Sequence, residues 1–142
     1  MVNTTLEKFG YPDTLIKEYD HWIVLLRKEQ VTIGSLVLCA KSDVTEFSAL
    51  SPEAFTEMNV AISDIERTLK QAFDYDKINY LMLMMVDPHV HFHVFPRYAD
   101  KRDACNLSMI DAGWPAAPKL VDAKVLSSQE MDELRHHILR FW

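Results

Sequence analysis

The stretch that decides the fold reads Asp87-Pro88-His89-Val90-His91-Phe92-His93-Val94-Phe95-Pro96-Arg97. Histidines occupy every second position from 89 to 93, and apolar residues alternate with them. A period of two predicts a β-strand, with the imidazoles on one face and Val90, Phe92 and Val94 facing a core. Three of the chain's six histidines thus lie in a row on one rigid element. That arrangement indicates a functional site.

The segments around this strand predict an antiparallel sheet. Four further runs are rich in apolar or β-branched residues, and they cover residues 14–19, 22–27, 36–40 and 78–86. The turn at Asp87-Pro88 returns the histidine strand antiparallel to the run before it, because Pro88 disfavours helix in the preceding residue. Together these runs make five strands.

Two helices complete the predicted fold. Ser51-Pro52-Glu53 is a helix start, and apolar residues at spacings of three and four continue to Phe73, which predicts a helix over about 52–73. The capping-box pattern Ser127-Ser128-Gln129-Glu130 predicts a last helix over about 128–140. Residues 99–125 read as irregular. The order of elements predicts an α+β fold in a single domain, 1–142.

Composition excludes several classes of protein. The net charge of -6 argues against a nucleic-acid binder. The N-terminus shows no secretion signal, and the apolar run at 81–86 is too short for a bilayer, so no membrane partner is expected. Cys39 and Cys105 are expected to be reduced thiols. These features predict a cytoplasmic protein.

Three alternating histidines admit three interpretations. They could hold a metal ion, although no second cluster of ligand residues accompanies them and the outer two are far apart on a strand. They could be exposed without chemistry. They could also carry nucleophilic catalysis, in which one imidazole nitrogen attacks an electrophile while the other is held by an acceptor. His91 is then the natural nucleophile, because it alone has a histidine on each side.

These residues resemble the histidine triad (HIT) family, whose pattern is His-φ-His-φ-His-φ-φ with φ apolar. Three further segments resemble the family's motifs in the right order: Gly34-Ser35-Leu36-Val37-Leu38-Cys39-Ala40-Lys41, Leu50-Ser51-Pro52-Glu53 and Asp76-Lys77-Ile78-Asn79-Tyr80. The resemblance covers about 14–98 and leaves 99–142 as a C-terminal extension with an irregular segment and a helix.

The resemblance implies a HIT-like fold with a five-stranded antiparallel sheet, in a homodimer. It implies hydrolysis or transfer of nucleotidyl groups, on substrates such as dinucleoside polyphosphates or nucleoside phosphoramidates. By the family's pattern His91 attacks the α-phosphorus and forms a nucleotidyl-histidine, while His93 and His89 contact phosphate oxygens or hold the site. No cofactor or metal is required.

The chain departs from the family at several positions. Ser35 stands where many members have a supporting histidine, and Met84-Met85 where many have Gly-Gln or Gly-Asn. Arg27 takes the place of a ribose-binding Asp or Asn and could pair with a phosphate. We predict that Arg27, Ser35 and Asn79 bind substrate. The departures leave open a nucleotide-binding protein with weak or lost catalysis, besides the metal-binding alternative.

One further arginine follows the triad directly. Arg97 is expected at the surface or in a dimer contact.

Overall fold

The computed structural model describes residues 2–142, and Met1, the first residue of the predicted domain, lies outside the described residues. The helices are α1 (Thr4–Lys8), α2 (Pro52–Phe73) and α3 (Ser128–Leu139). The strands are β1 (Leu15–Glu18), β2 (Trp22–Leu26), β3 (Glu29–Gln30), β4 (Leu36–Ala40), β5 (Lys77–Leu81), β6 (His91–Arg97), β7 (Arg102–Ala104), β8 (Leu107–Met109) and β9 (Lys124–Val125).

Five of the strands form one sheet in the spatial order β1-β2-β4-β6-β5, with every neighbouring pair antiparallel. The predicted α+β fold with a five-stranded antiparallel sheet is therefore confirmed. Two small antiparallel pairs, β3 with β9 and β7 with β8, accompany the sheet. The β7–β8 pair lies in the segment that was predicted to be irregular.

Both predicted helices form where their capping residues place them. The Ser51 side chain accepts a hydrogen bond from the backbone N–H of Ala54, and Pro52 occupies the first turn of α2. Ser127 and Glu130 form the predicted capping box of α3. None of the helices within residues 2–142 has the length and apolarity that a bilayer crossing requires.

The two faces of the sheet are covered unequally. Helices α2 and α3 bury one face in a large core, to which every second residue of β2, β4 and β6 contributes. The short α1 and the turn after it cover part of the other face, over a small cluster of Leu6, Ile23, Leu25, Val37 and Cys39. His91 and His93 pair with Cys39 and Val37, so they lie on this thinly covered face. Val90 and Val94 are buried in the large core, as predicted.

Two strand bounds differ from the prediction. The strand predicted over 78–86 ends at Leu81, and Met84 beyond it adopts a left-handed backbone conformation with φ of 49°, which a strand does not accommodate. The histidine strand begins only at His91, and His89 lies in a bend before it. Residues 83, 85 and 86 are exposed as a result.

The expectation that Arg97 lies at the surface is wrong. Its side chain is buried, its Nε donates to Asp111 Oδ2 at 2.6 Å, and its Nη2 donates to the other carboxylate oxygen at 3.1 Å. Nη2 also donates to the Ala116 carbonyl at 2.8 Å. A buried ion pair thus ties the end of β6 to the chain segment after β8.

Candidate active site

His91 is oriented by its strand and by one hydrogen bond. It is the first residue of β6 and lies opposite Cys39 in the interior of the sheet. Its Nδ1 lies 2.7 Å from the carbonyl oxygen of His89. Because a carbonyl oxygen only accepts, the contact assigns the proton of a neutral His91 ring to Nδ1 and the free lone pair to Nε2. The strand and the hydrogen bond therefore present an unprotonated nitrogen.

His89 supports the site from outside the strand. Its Nδ1 lies 2.9 Å from the Thr5 hydroxyl oxygen of α1. The three histidines therefore do not all lie on the strand as predicted. His91 and His93 share one face of β6, whereas His89 precedes the strand. The backbone carbonyl of His89 contacts the His91 ring, and its side chain contacts α1. The His91 and His93 rings are perpendicular, with centroids 5.0 Å apart.

Arg27 contacts His93 directly. Its Nη1 lies 3.0 Å from His93 Nδ1, and its Nη2 lies 3.5 Å from Glu29 Oε2. Burial, and after it the positive charge of Arg27, lowers the pKa of His93 to about 4. Burial also lowers the pKa of the Arg27 guanidinium, which nevertheless stays charged at neutral pH. His93 is therefore neutral at physiological pH.

His91 and His93 line a cleft that has two adjoining parts. The narrow part, of about 230 Å³, has His91 and His93 at its base and residues 83–87 along one wall. A wider recess of about 750 Å³ continues toward α3, whose Met131 and Arg135 line it. Both parts share a boundary formed by Lys8, Phe9, Arg27 and Glu29. The larger recess has the volume typical of small-molecule sites.

Phe9 lies over the histidines. Its ring centroid is 5.9 Å from that of His91 and 5.7 Å from that of His93. Lys8 of α1 reaches across the same edge and pairs with Asp87 at 2.8 Å. His91 is only 1% exposed beneath this cover. The Phe9 ring is therefore part of the cover over His91.

Replacing Phe9 by alanine should raise the rate at which diethyl pyrocarbonate modifies His91 by several-fold, because the ring that covers the imidazole is removed. The measurement is mass spectrometry of the modified histidine peptides over time. Phe47→Ala is the control, since Phe47 packs on Phe55 and Phe92 on the face of β6 opposite to His91 and His93. An unchanged rate at His91 in Phe9→Ala would show that Phe9 does not limit access.

The structure does not bring Ser35 or Asn79 into the cleft. The Ser35 side chain is fully buried in a turn, where it donates to the Thr32 carbonyl at 2.6 Å. Asn79 lies on β5, and its Oδ1 accepts a hydrogen bond from Arg97 at 2.7 Å. Arg27 is the predicted substrate-binding residue that lines the cleft.

Sequence reasoning missed Thr5, Lys8 and Phe9. They belong to a segment too short to show a helical period, and each acts through a contact with a residue about 80 positions later. The one local signal was Asn3, whose side chain accepts from the Leu6 N–H and starts α1.

Across the described range, 2–142, no group of three His, Cys, Asp or Glu side chains is arranged to hold one metal ion.

His91 and His93 on an interior strand of a five-stranded antiparallel sheet, with His89 in the bend before it, are the arrangement of a histidine triad protein. The sequence profile of the HIT domain matches residues 8–100, which is more than half of the chain. The protein therefore belongs to the HIT family. None of the curated proteins matches the sequence.

Solved structures with the same fold come from several organisms. A histidine triad protein of Sinorhizobium meliloti has a TM-score of 0.78 at 19% identity, covering 100% of this chain and 96% of that chain. A hypothetical histidine triad nucleotide-binding protein of Sulfolobus tokodaii has a TM-score of 0.71 at 16% identity, with coverages of 89% and 81%. A zinc-bound histidine triad family protein of Mycobacterium smegmatis has a TM-score of 0.59 at 17% identity, with coverages of 96% and 91%. These likenesses support the fold.

Proposed function

We propose that this protein cleaves a phosphoanhydride or phosphoramidate bond of a nucleotide through a covalent nucleotidyl-histidine. The Nε2 lone pair of His91 attacks the α-phosphorus, a P–N bond forms, and the bond to the leaving group breaks. Water or another acceptor then attacks the same phosphorus, releases the nucleotide and returns the lone pair to Nε2. The observation that carries this proposal is the hydrogen bond from His91 Nδ1 to the His89 carbonyl, which leaves Nε2 free to attack.

The neighbouring groups support the transfer by charge and by hydrogen bonding. His93 lines the cleft beside His91, where a ring N–H can donate to a phosphate oxygen. Arg27 and Lys8 add positive charge at the boundary of the two parts of the cleft. This chemistry uses groups of the protein together with water or another acceptor, so we propose that no cofactor is required and that a chelator leaves turnover unchanged.

Trapping the intermediate tests the proposal directly. The full-length protein is mixed with dinucleoside polyphosphates and nucleoside phosphoramidates, quenched within one turnover, and digested under alkaline conditions that preserve phosphorus–nitrogen bonds. A nucleotidyl adduct on His91 is expected. Turnover with the adduct on another residue, or turnover with no covalent intermediate in single-turnover kinetics, would overturn the mechanism.

The wall formed by residues 83–86 favours an apolar leaving group. The wider recess has the volume for a nucleoside, which leaves the narrow part for the leaving group. Met85 and Val86 line the narrow part, and they are 85% and 83% exposed to solvent. We therefore propose that phosphoramidates with apolar amines are better substrates than dinucleoside polyphosphates.

Met85→Gln should lower kcat/KM for an aryl- or alkyl-amine phosphoramidate by roughly tenfold, because a polar amide replaces an apolar contact. The kcat/KM for a dinucleoside polyphosphate should fall by less. Val121→Gln is the matched control, since Val121 is equally exposed and lies outside the cleft. Equal effects on both substrates would remove the assignment of this wall to the leaving group.

A binding protein without turnover is the second candidate. Two observations favour it: His91 is almost completely covered, and Ser35 is buried where a supporting histidine is common in the family. Measurable nucleotide affinity with no turnover on the substrate panel would select it. Metal binding is a third candidate, because one histidine triad protein of the same fold is zinc-bound. Elemental analysis of the purified protein tests whether it contains a stoichiometric metal ion.

We also propose a cytoplasmic homodimer. Both cysteines are free thiols, which fits a reducing compartment. Strand β5 lies at an edge of the sheet, where a second copy could pair. Fluorescent tagging tests the location, and sedimentation equilibrium tests the mass against the 16.5 kDa chain.

A further inference from the structure

Arg27 is held rigidly against His93. Its side chain is 11% exposed, and its guanidinium lies over the Phe95 ring at 5.3 Å. The His93 ring is stacked on the same phenyl ring, with an interplanar angle of 8° and a centroid distance of 6.2 Å. The Arg27 backbone is fixed by a bond from its N–H to the Ser35 carbonyl and by Gln30, whose side chain donates to the Arg27 carbonyl. Shared packing therefore fixes both partners of the contact.

The contact permits only one direction of hydrogen bonding. A guanidinium has five N–H donors and no acceptor, so Arg27 must donate to His93 Nδ1. A neutral His93 that accepts at Nδ1 carries its proton at Nε2, on the opposite side of the ring. The neighbouring His91 has the reverse arrangement, because its Nδ1 donates to a carbonyl. Two adjacent histidines of one strand thus carry opposite tautomers.

We propose that Arg27 is a positioning residue that holds His93 as the Nε2–H tautomer, so that His93 can only donate into the cleft while His91 can only accept. His91 then supplies the nucleophilic nitrogen. His93 supplies a hydrogen-bond donor to the phosphoryl group that His91 attacks. This role deepens the proposed function and rests on it for its catalytic consequence. The tautomer itself does not depend on turnover.

The charges around His93 support a neutral ring. The positive charges of Arg27 and Lys8 disfavour the imidazolium, and Asp87 favours it. Burial is the largest influence and also opposes the charge, so the pKa of His93 is lowered to about 4. Glu29, which pairs with Arg27 from β3, reduces the effective charge of the guanidinium. A neutral ring can adopt either tautomer, and Arg27 selects the one with the proton at Nε2.

Imidazole ¹⁵N NMR on the full-length protein tests the tautomer directly. His93 should show a pyridine-like Nδ1 and a pyrrole-like Nε2, and His91 should show the reverse. In Arg27→Met, His93 should change to a mixture of tautomers, and its pKa should rise toward the ordinary value of about 6.5. A protonated Nδ1 on neutral His93 in the parent protein, or an unchanged tautomer in Arg27→Met, would overturn the proposal.

Two variants separate positioning from charge and from folding. Lys28→Met removes a positive charge from the adjacent exposed residue and should leave the His93 signals unchanged. Arg27→Lys keeps a charge and a donor, and it should restore part of the Nε2–H tautomer. If Arg27→Met does not fold, the signals of the parent and of Arg27→Lys still decide the question.

Kinetics connect the tautomer to the reaction. Arg27→Met should lower kcat by a factor set by the fraction of His93 that leaves the Nε2–H tautomer, from about twofold for an even mixture to about 10²-fold for complete loss of the donor. KM should change little if Arg27 acts through His93, whereas direct substrate binding by Arg27 predicts that the loss falls mainly in KM. If no variant and no parent protein turns over any nucleotide while the NMR result holds, the proposed function fails and the positioning role stands.

Discussion

Replacing His91 by glutamine is expected to lower kcat/KM on nucleotide substrates by about 10⁴- to 10⁶-fold, the range seen when a nucleophile or its partner base is removed. Glutamine retains an N–H donor that can reach the His89 carbonyl, which lies 2.7 Å from Nδ1 in the parent. It offers no basic nitrogen in place of Nε2. The loss therefore isolates the nucleophile from the orientation of the side chain. The measurement is steady-state turnover together with the intermediate-trapping experiment, and no adduct should form.

Two controls make this result specific. The melting temperature of His91→Gln should stay near that of the parent, because a buried polar side chain of similar length keeps its partner. In His91→Gly, added imidazole should restore part of the turnover, since a free nucleophile can enter the vacated space. A His91→Gln variant that retains turnover within tenfold of the parent would place the nucleophile elsewhere.

The sequence predicted the elements whose signals are local. The period of two at 90–94 correctly assigned the buried face of the histidine strand, because alternation on a strand leaves only two faces to choose from. Ser51 and Ser127 predicted the starts of α2 and α3, since capping depends on residues within one turn. Burial of β4 on both sides followed from its unbroken apolar run.

The parts that the sequence did not predict depend on distant contacts. Thr5 and Phe9 reach the triad across more than 80 residues of chain, and nothing in residues 1–12 announces that pairing. The run at 81–86 is apolar enough for a strand, but β6 pairs with β5 only as far as Leu81 opposite His93. Arg27 was predicted to bind substrate from its position alone. Its contact with His93 could not be predicted, because it depends on the packing of both side chains on Phe95 in the folded protein.

Asp111→Ala should lower the free energy of unfolding by about 3–5 kcal/mol, because it leaves the buried Arg97 guanidinium without its carboxylate. The two side chains are 4% and 1% exposed, and two N–H groups of Arg97 donate to the carboxylate at 2.6 and 3.1 Å. Asp111 also accepts from the backbone N–H groups of Tyr98 and Gly113. Urea denaturation followed by tryptophan fluorescence gives the difference.

Two comparison variants separate the buried charge from the loss of a contact. Glu18→Gln removes one partner of the exposed pair with Lys41 and should cost less than about 1 kcal/mol. The double variant Arg97→Met with Asp111→Leu should recover much of the stability that Asp111→Ala loses, because no buried charge then lacks a partner. A cost below about 1 kcal/mol for Asp111→Ala would mean that Arg97 finds other acceptors, such as Asn79 and the Ala116 carbonyl, and that the ion pair does not hold the end of β6.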